Sequence, residues 1–357
     1  MLVPAGKGKK PALDMLDLPR HAREVLGLSG LTLSTDLLAG ADRARLEAIR
    51  ERADRAGAAC LLLVEYDPQN FGSTKDADVT AATTRARKVV EAAQILGCSA
   101  AAIKVAAPDD DAALVRVAAA LKPVVERAEK LDINLLISPH DGLTSKSERV
   151  TELLKKVGGF RIGTYPDFQS AAGSSKPVDY LHRLTPYATG VCATTVKLTD
   201  PLDDLPAPKP SKKLAEPAAA AKPAKGKGKP DETKIEADEA ATPGGTLKKG
   251  KKAATPPPVE VAEVEDDEID DIDDEELDAE IAALMGEALD DDLPPKLVAL
   301  RHEPYDLFPL VEAIAAVGYD GPLAVDYRGT GDLTEGIIKS RDTLLALILR
   351  AKDKTAG

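Results

Sequence analysis

Residues 41–57, ADRARLEAIRERADRAG, run directly into residues 59–66, ACLLLVEY. In the first stretch the apolar positions fall at helical spacing, and Gly57 is a natural C-terminal stop. The second is a continuous apolar run too short for a buried helix and rich enough for a strand covered on both faces. One helix followed by one such strand is half of a parallel β/α repeat, and the same unit recurs on both sides of it.

Upstream, the helical LPRHAREVLG (18–27) leads to LTLS (31–34). Downstream, the helix ending at Gly97 precedes AAIKVAA (101–107), and the helix ALVRVAAALKPVVERAEKL (113–131) precedes INLLIS (133–138). SERVTELLKKVG (147–158) precedes RIGTY (161–165), and the short VDYLHRL (178–184) precedes TGVCATTVKL (189–198). After a long interruption, YDLFPLVEAIAAVG (305–318), PLAVDY (322–327) and EGIIKSRDTLLALILRAK (335–352) complete the series. Strands alternating with helices imply parallel pairing through right-handed crossovers, with seven strands visible.

Composition narrows the functional classes. The 357 residues are 43% apolar, contain no Trp and only 3% aromatics, and carry a net charge of -13. Phosphate-backbone binding and base stacking are disfavoured, so no nucleic-acid partner is expected. Cys60, Cys98 and Cys192 are odd in number and widely spaced, which argues against a disulfide framework or a zinc knuckle and for reduced core cysteines in a cytoplasmic protein. The N-terminal MLVPAGKGKK lacks a signal-peptide core, and no stretch reaches the roughly 20 apolar residues of a membrane span, so no membrane partner is expected.

The expected organisation is a flexible tail at 1–15, a first barrel segment at 16–200, an insertion at 201–296 and a closing segment at 297–350. The insertion is Pro/Ala/Lys-rich and then strongly acidic, a composition that cannot offset the entropy of ordering, so it is expected to be disordered. Within it, Leu277, Ile281, Leu284 and Leu289 lie near helical spacing and form a candidate docking helix for a protein partner.

Periodicity does not separate a doubly wound sheet from a (β/α) barrel. The chain has neither GxGxxG after the first strand nor GxxxxGK[ST], and its polar residues gather at C-terminal strand ends, which favours the barrel. A barrel mouth would collect Glu65, Asp67, Lys104, Ser138, His140, Asp141, Asp167, Thr194, Thr195, Lys197, Asp326 and Arg328. Hard divalent metals prefer oxygen ligands and accept an imidazole, which makes Asp167, Asp326 and His140 the candidate metal ligands.

Five stretches together resemble the sugar phosphate isomerase/epimerase group of the xylose isomerase-like TIM barrels. They are AAQILGCSAAAIKV (92–105), ISPHDGLTS (137–145), GTYPDF (163–168), LTPYATGV (184–191) and VGYDGPLAVDYRG (317–329). The resemblance implies a divalent metal (manganese, magnesium or zinc) and proton transfer next to a sugar carbonyl. On this reading the candidate catalytic groups are Asp326 and His140, with Glu65 reaching across the mouth to replace a missing carboxylate, and Lys104, Lys197, Ser138 and Arg328 are the candidate contacts to a small sugar or sugar phosphate.

The carry-over has departures. Ser138, Pro139 and His140 stand where the family has Glu-Asn-His, and Gln169 and Ser170 replace the Gly-Asn of its Pro-Asp-Phe-Gly-Asn. Asp326 replaces a glutamate, Lys104 an arginine, and CATT (192–195) offers no histidine or lysine ligand. A neutral hydroxyl is a poor divalent ligand and no base near pH 7. The alternative is therefore a non-catalytic barrel that acts through its pocket or its charged insertion. MLV is also too short for the barrel's usual first strand, leaving an open edge that self-association into a homo-oligomer or docking of the insertion would cover.

Overall fold

The computed structural model describes residues 13–200 and 297–356. The MLV segment, the expected insertion at 201–296 and the amphipathic stretch 277–289 lie outside the described residues.

The elements alternate as their sequence periods dictate. Helix α1 (Leu18–Glu24) precedes β1 (Gly30–Ser34), and α2 (Arg43–Ala56) precedes β2 (Ala59–Gln69). Next come α3 (Asp76–Ile95), β3 (Ala100–Val105), α4 (Asp111–Lys130) and β4 (Asn134–Ser138). Then follow α5 (Ser147–Val157), β5 (Ile162–Thr164), α6 (Phe168–Gly173), α7 (Pro177–Leu184), β6 (Val191–Thr195) and β7 (Lys197–Thr199). The closing segment carries β8 (Arg301–Glu303), α8 (Phe308–Ala316), β9 (Leu323–Tyr327) and α9 (Leu333–Ala356).

Local chemistry sets several of these boundaries. Asp42 caps α2 by accepting from the Arg45 amide, and Gly57 ends it in the left-handed region at φ 62°. Asp110 caps α4 in the same way, accepting from the Ala113 amide.

Strands β1 to β5 form one parallel sheet in chain order, and β6 pairs in parallel with β9. Parallel bridges from Thr164 to Ala188 and from Asp167 to Cys192 carry the sheet from β5 to β6. Among the described residues the result is an α/β barrel of the TIM type with seven strands. Among the described residues nothing pairs with the outer edges of β1 and β9, and a cavity of about 330 Å³ lined by Leu31, Leu62, Tyr165, Leu323 and Val325 lies between them.

Both faces of the strands are buried, which explains their unbroken apolar runs. Leu62, Val64, Ala100, Ala102, Leu136, Tyr165 and Cys192 fill the barrel interior, with Tyr66 against them. Alternate residues such as Leu63, Ala101, Ile103, Leu135 and Ile137 pack outward under the helices. Cys60, Cys98 and Cys192 are buried free thiols. Burial, with the charge of Asp54 as a smaller cause, pushes the Cys60 pKa up to about 11, so it is an inert core residue. No described helix is long and apolar enough to cross a membrane.

The expected strand 189–198 is two strands. At Val196 the amide donates to His302 Nε2 at 2.9 Å, and the chain turns into β7, which pairs antiparallel with β8. This hairpin brings together the chain on either side of 201–296. His302 is 7% exposed. Its Nδ1 faces the Tyr305 carbonyl at 2.8 Å, so the ring is held neutral with the proton on Nδ1.

Burial lowers the His302 pKa below its ordinary 6.5, against the opposing pull of Tyr305 and Glu303. The neutral form is therefore the folded form: its stabilisation is complete above pH 6.5 and is lost as pH falls through 6.5 toward the folded value. Urea unfolding between pH 7.5 and 5 is expected to show this loss, and His302→Gln to flatten it; an unchanged slope in the variant would refute the assignment.

Candidate functional site

Because the strands are buried on both faces, only their C-terminal ends can present polar groups to a ligand. The period of two decides which do. On β2, Leu62, Val64 and Tyr66 face inward, so Glu65 faces outward. Fully buried, it accepts from Arg85 Nε at 2.5 Å, from Thr35 Oγ1 at 3.0 Å and from the Asp67 amide at 3.2 Å. Asp36, Glu65 and Asp67 are the one group of three acidic, histidine or cysteine residues among the described residues whose ligand atoms lie within 4.8 Å of one another. Glu65 is already tied to Arg85 there, on the side of the sheet away from the barrel interior.

The mouth itself is built from inward positions. Lys104 and Ser138 are register partners on β3 and β4 and share a face. The Lys104 ammonium lies 5.2 Å from the centre of the Tyr66 ring and makes no ion pair or hydrogen bond with a described residue. Ser138 is 4% exposed and its Oγ has no hydrogen-bond partner among the described residues. An orphaned buried hydroxyl costs stability unless something else bonds it.

Across the barrel, Thr194 and Asp326 are register partners on β6 and β9. Thr194 Oγ1 donates to Asp167 Oδ1 at 2.7 Å. Asp167 also caps α6, accepting from the Gln169 amide at 2.9 Å and from Ser170 Oγ at 3.3 Å. Arg328, the next inward position after Asp326, donates from Nε and Nη2 to Asp326 Oδ2 at 2.9 and 2.6 Å, and from Nη1 to Gln169 Oε1 at 2.7 Å. Burial opposes its charge, but the hydrogen bond and charge of Asp326 and the charge of Asp167 outweigh this, and the Arg328 pKa stands above its ordinary value.

Cys192 lies beneath, its Sγ 3.6 Å from Thr194 Oγ1 and 3.7 Å from Asp326 Oδ2. Burial first, then Asp167 and Asp326, raise its pKa and keep the thiol protonated. Burial and the same two carboxylates raise the Tyr66 phenol, with Arg328 pulling the other way.

The other expected residues lie apart. His140 lines a cavity of about 370 Å³ with Asp141, Ser145, Ser170 and Gly173 on the rim of α6. Asp167, Asp326 and His140 do not bring three ligand atoms within 4.8 Å of one another. Lys197 pairs with Glu303 at 3.0 Å on the β7–β8 hairpin, and Thr195 bonds Ser340 Oγ at 2.7 Å on the helix side. Gly142, at φ 89°, explains the sharp exit from β4: a Cβ there would overlap the Ala107 carbonyl to which the Leu143 amide bonds.

These contacts test the metal expectation. A hard divalent ion needs several free oxygen donors converging on one point. In the mouth, both Asp167 oxygens accept protein hydrogen bonds, Asp326 is paired with a guanidinium, and the neighbouring inward positions are Ser138 and Thr194. The mouth does not fit a divalent metal.

Gln169, Cys192, Tyr66 and Tyr305 were not singled out as site residues. The alternation of Leu62, Val64 and Tyr66 signals the inward tyrosine. Tyr305, whose hydroxyl donates to the Thr194 carbonyl, arrives from beyond the insertion and carries no local signal.

The Glu65 network yields a stability prediction. Arg85→Ala leaves a buried carboxylate with only its hydroxyl and amide partners and is expected to cost about 2 kcal/mol in urea unfolding. A loss within experimental error of zero would show that Arg85, which is partly solvent-exposed, contributes nothing.

Comparisons with known proteins agree with the fold. Residues 21–180 match the family profile described as xylose isomerase-like TIM barrel. Among solved structures, an L-ribulose 3-epimerase aligns over 93% of this chain and 88% of its own at TM-score 0.57 and 11% identity. The D-psicose 3-epimerase of Clostridium cellulolyticum H10, solved with D-tagatose, aligns over 94% and 92% at TM-score 0.53 and 10% identity. A xylose isomerase-like TIM barrel protein of Mycobacterium smegmatis, in complex with magnesium, aligns over 95% and 91% at TM-score 0.52 and 12% identity. At such identities the likeness carries the fold alone. No curated protein sequence matches the chain.

Proposed function

For a chain with the fold of the xylose isomerase-like TIM barrels, we propose an isomerase/epimerase-like role in which the mouth takes a small sugar or sugar phosphate. The observation that carries this reading is the pair on β3 and β4. The Lys104 ammonium and the buried Ser138 hydroxyl sit side by side without an ion-pair or hydrogen-bond partner among the described residues, where a ligand's oxygens would satisfy both. The solved neighbours include epimerases of sugars, which supports the ligand class.

In this reading Ser138 hydrogen-bonds a ligand hydroxyl, Lys104 holds an anionic or carbonyl oxygen, and Arg328 turns its remaining N–H donors toward the ligand. The apolar wall formed by the Tyr66 and Tyr165 rings packs against the sugar's C–H face. Proton transfer would fall to Asp167 or Asp326, and here the geometry favours the non-catalytic form. The Asp167 carboxylate is held by Thr194, Ser170 and the Gln169 amide, and Asp326 by Arg328, so neither is a free base. The Asp36, Glu65 and Asp67 group does not supply one, because Glu65 faces away from the barrel interior.

Calorimetric titration with a panel of aldoses, ketoses and their phosphates tests binding, with solvent-deuterium exchange at the carbon next to the carbonyl followed by NMR as the catalytic readout. Binding weakened about tenfold or more by Lys104→Ala, with no exchange, is the expected result; tenfold is about 1.4 kcal/mol. No heat with any sugar would refute ligand binding. Exchange that needs Mn²⁺ and disappears in Asp326→Asn would overturn the non-catalytic form in favour of metal-assisted isomerisation.

A further inference from the structure

We propose that Arg328 is the resident cation of the mouth: its guanidinium takes the place that a divalent ion would need and closes the site to metals. Asp326 presents Oδ2 to both Nε and Nη2 of Arg328, and the opposite side of the guanidinium is fixed by Gln169 Oε1 from α6. One planar fork thus bridges the end of β9 to the start of α6, where Asp167 is the capping residue. An ion that took Asp326 Oδ2 would have to displace this bridge.

Charge points the same way. Asp167 and Asp326 supply two negative charges, and Arg328 and Lys104 two positive ones. A divalent ion entering this balanced set would meet like charge at close range, in surroundings that screen it less than water does. The bridge also couples distant parts of the sequence. Gln169 and Arg328 are 159 positions apart and are the two ends of one 2.7 Å hydrogen bond. Ser138 and Thr194, inward residues of β4 and β6, supply hydroxyls where further anionic ligands would be required.

The inference does not depend on the ligand and has its own test, Mn²⁺ titration by calorimetry on the full chain. The carboxylate-rich sequence at 265–280 offers Mn²⁺ ligands of its own, so the informative quantity is the difference between variants. Wild type and Asp326→Asn are expected to give superimposable isotherms. Arg328→Ser, which frees Asp326, is expected to gain one additional Mn²⁺ site that the Arg328→Ser, Asp326→Asn double variant lacks. A stoichiometric site in wild type that weakens tenfold or more in Asp326→Asn would overturn the proposal, as would a folded Arg328→Ser with no gain. If Arg328→Ser does not fold, the wild-type and Asp326→Asn comparison decides alone. Absence of sugar binding beside these expected Mn²⁺ results would refute the proposed function and leave the role of Arg328 standing.

Discussion

A parallel strand covered by helices on one side and by the barrel interior on the other has water only at its ends. Everything polar that this chain presents to a ligand follows from that constraint. Leu62, Val64, Ala102 and Leu136 seal the lower barrel, and the next inward residue up each strand is Tyr66, Lys104 or Ser138. Residues one step out of phase, such as Glu65 and Thr195, are turned to the helices and become structural partners of Arg85 and Ser340.

The mouth is asymmetric. On the β5, β6 and β9 side every charged group has a partner, through a continuous chain from Thr194 to Asp167, from Asp167 to the start of α6, and from Gln169 through Arg328 to Asp326. On the β3 and β4 side Lys104 and Ser138 are left over. A rigid, charge-balanced wall thus faces one whose ammonium and hydroxyl have no ion-pair or hydrogen-bond partner among the described residues. The capped and bridged carboxylates also tie α6 to the barrel, so the same contacts serve stability and site shape.

The open edge between β1 and β9 is a second consequence of sheet geometry. A closed barrel has no edge, whereas seven strands leave two rows of backbone groups without a ladder partner among the described residues. The small cavity between them is apolar and lies low in the barrel, away from the polar mouth.

Helix and strand periods, the stops at Gly57 and Gly97 and the capping aspartates made the α/β alternation legible residue by residue, because these signals are local. The sequence determined that seven parallel strands would form and that Lys104, Ser138, Asp167, Asp326 and Arg328 would stand at strand ends. It could not show that Glu65 faces the helices, that His140 sits on a separate rim, or that Lys197 is held by Glu303. Those outcomes depend on strand phase and on the break at Val196, where an imidazole from 106 residues away takes the amide. Only the tertiary structure paired Arg328 with Asp326 and Gln169, because a guanidinium's partners are chosen by distance in space and by the competition of carboxylates for a cation, neither of which is written in sequence spacing.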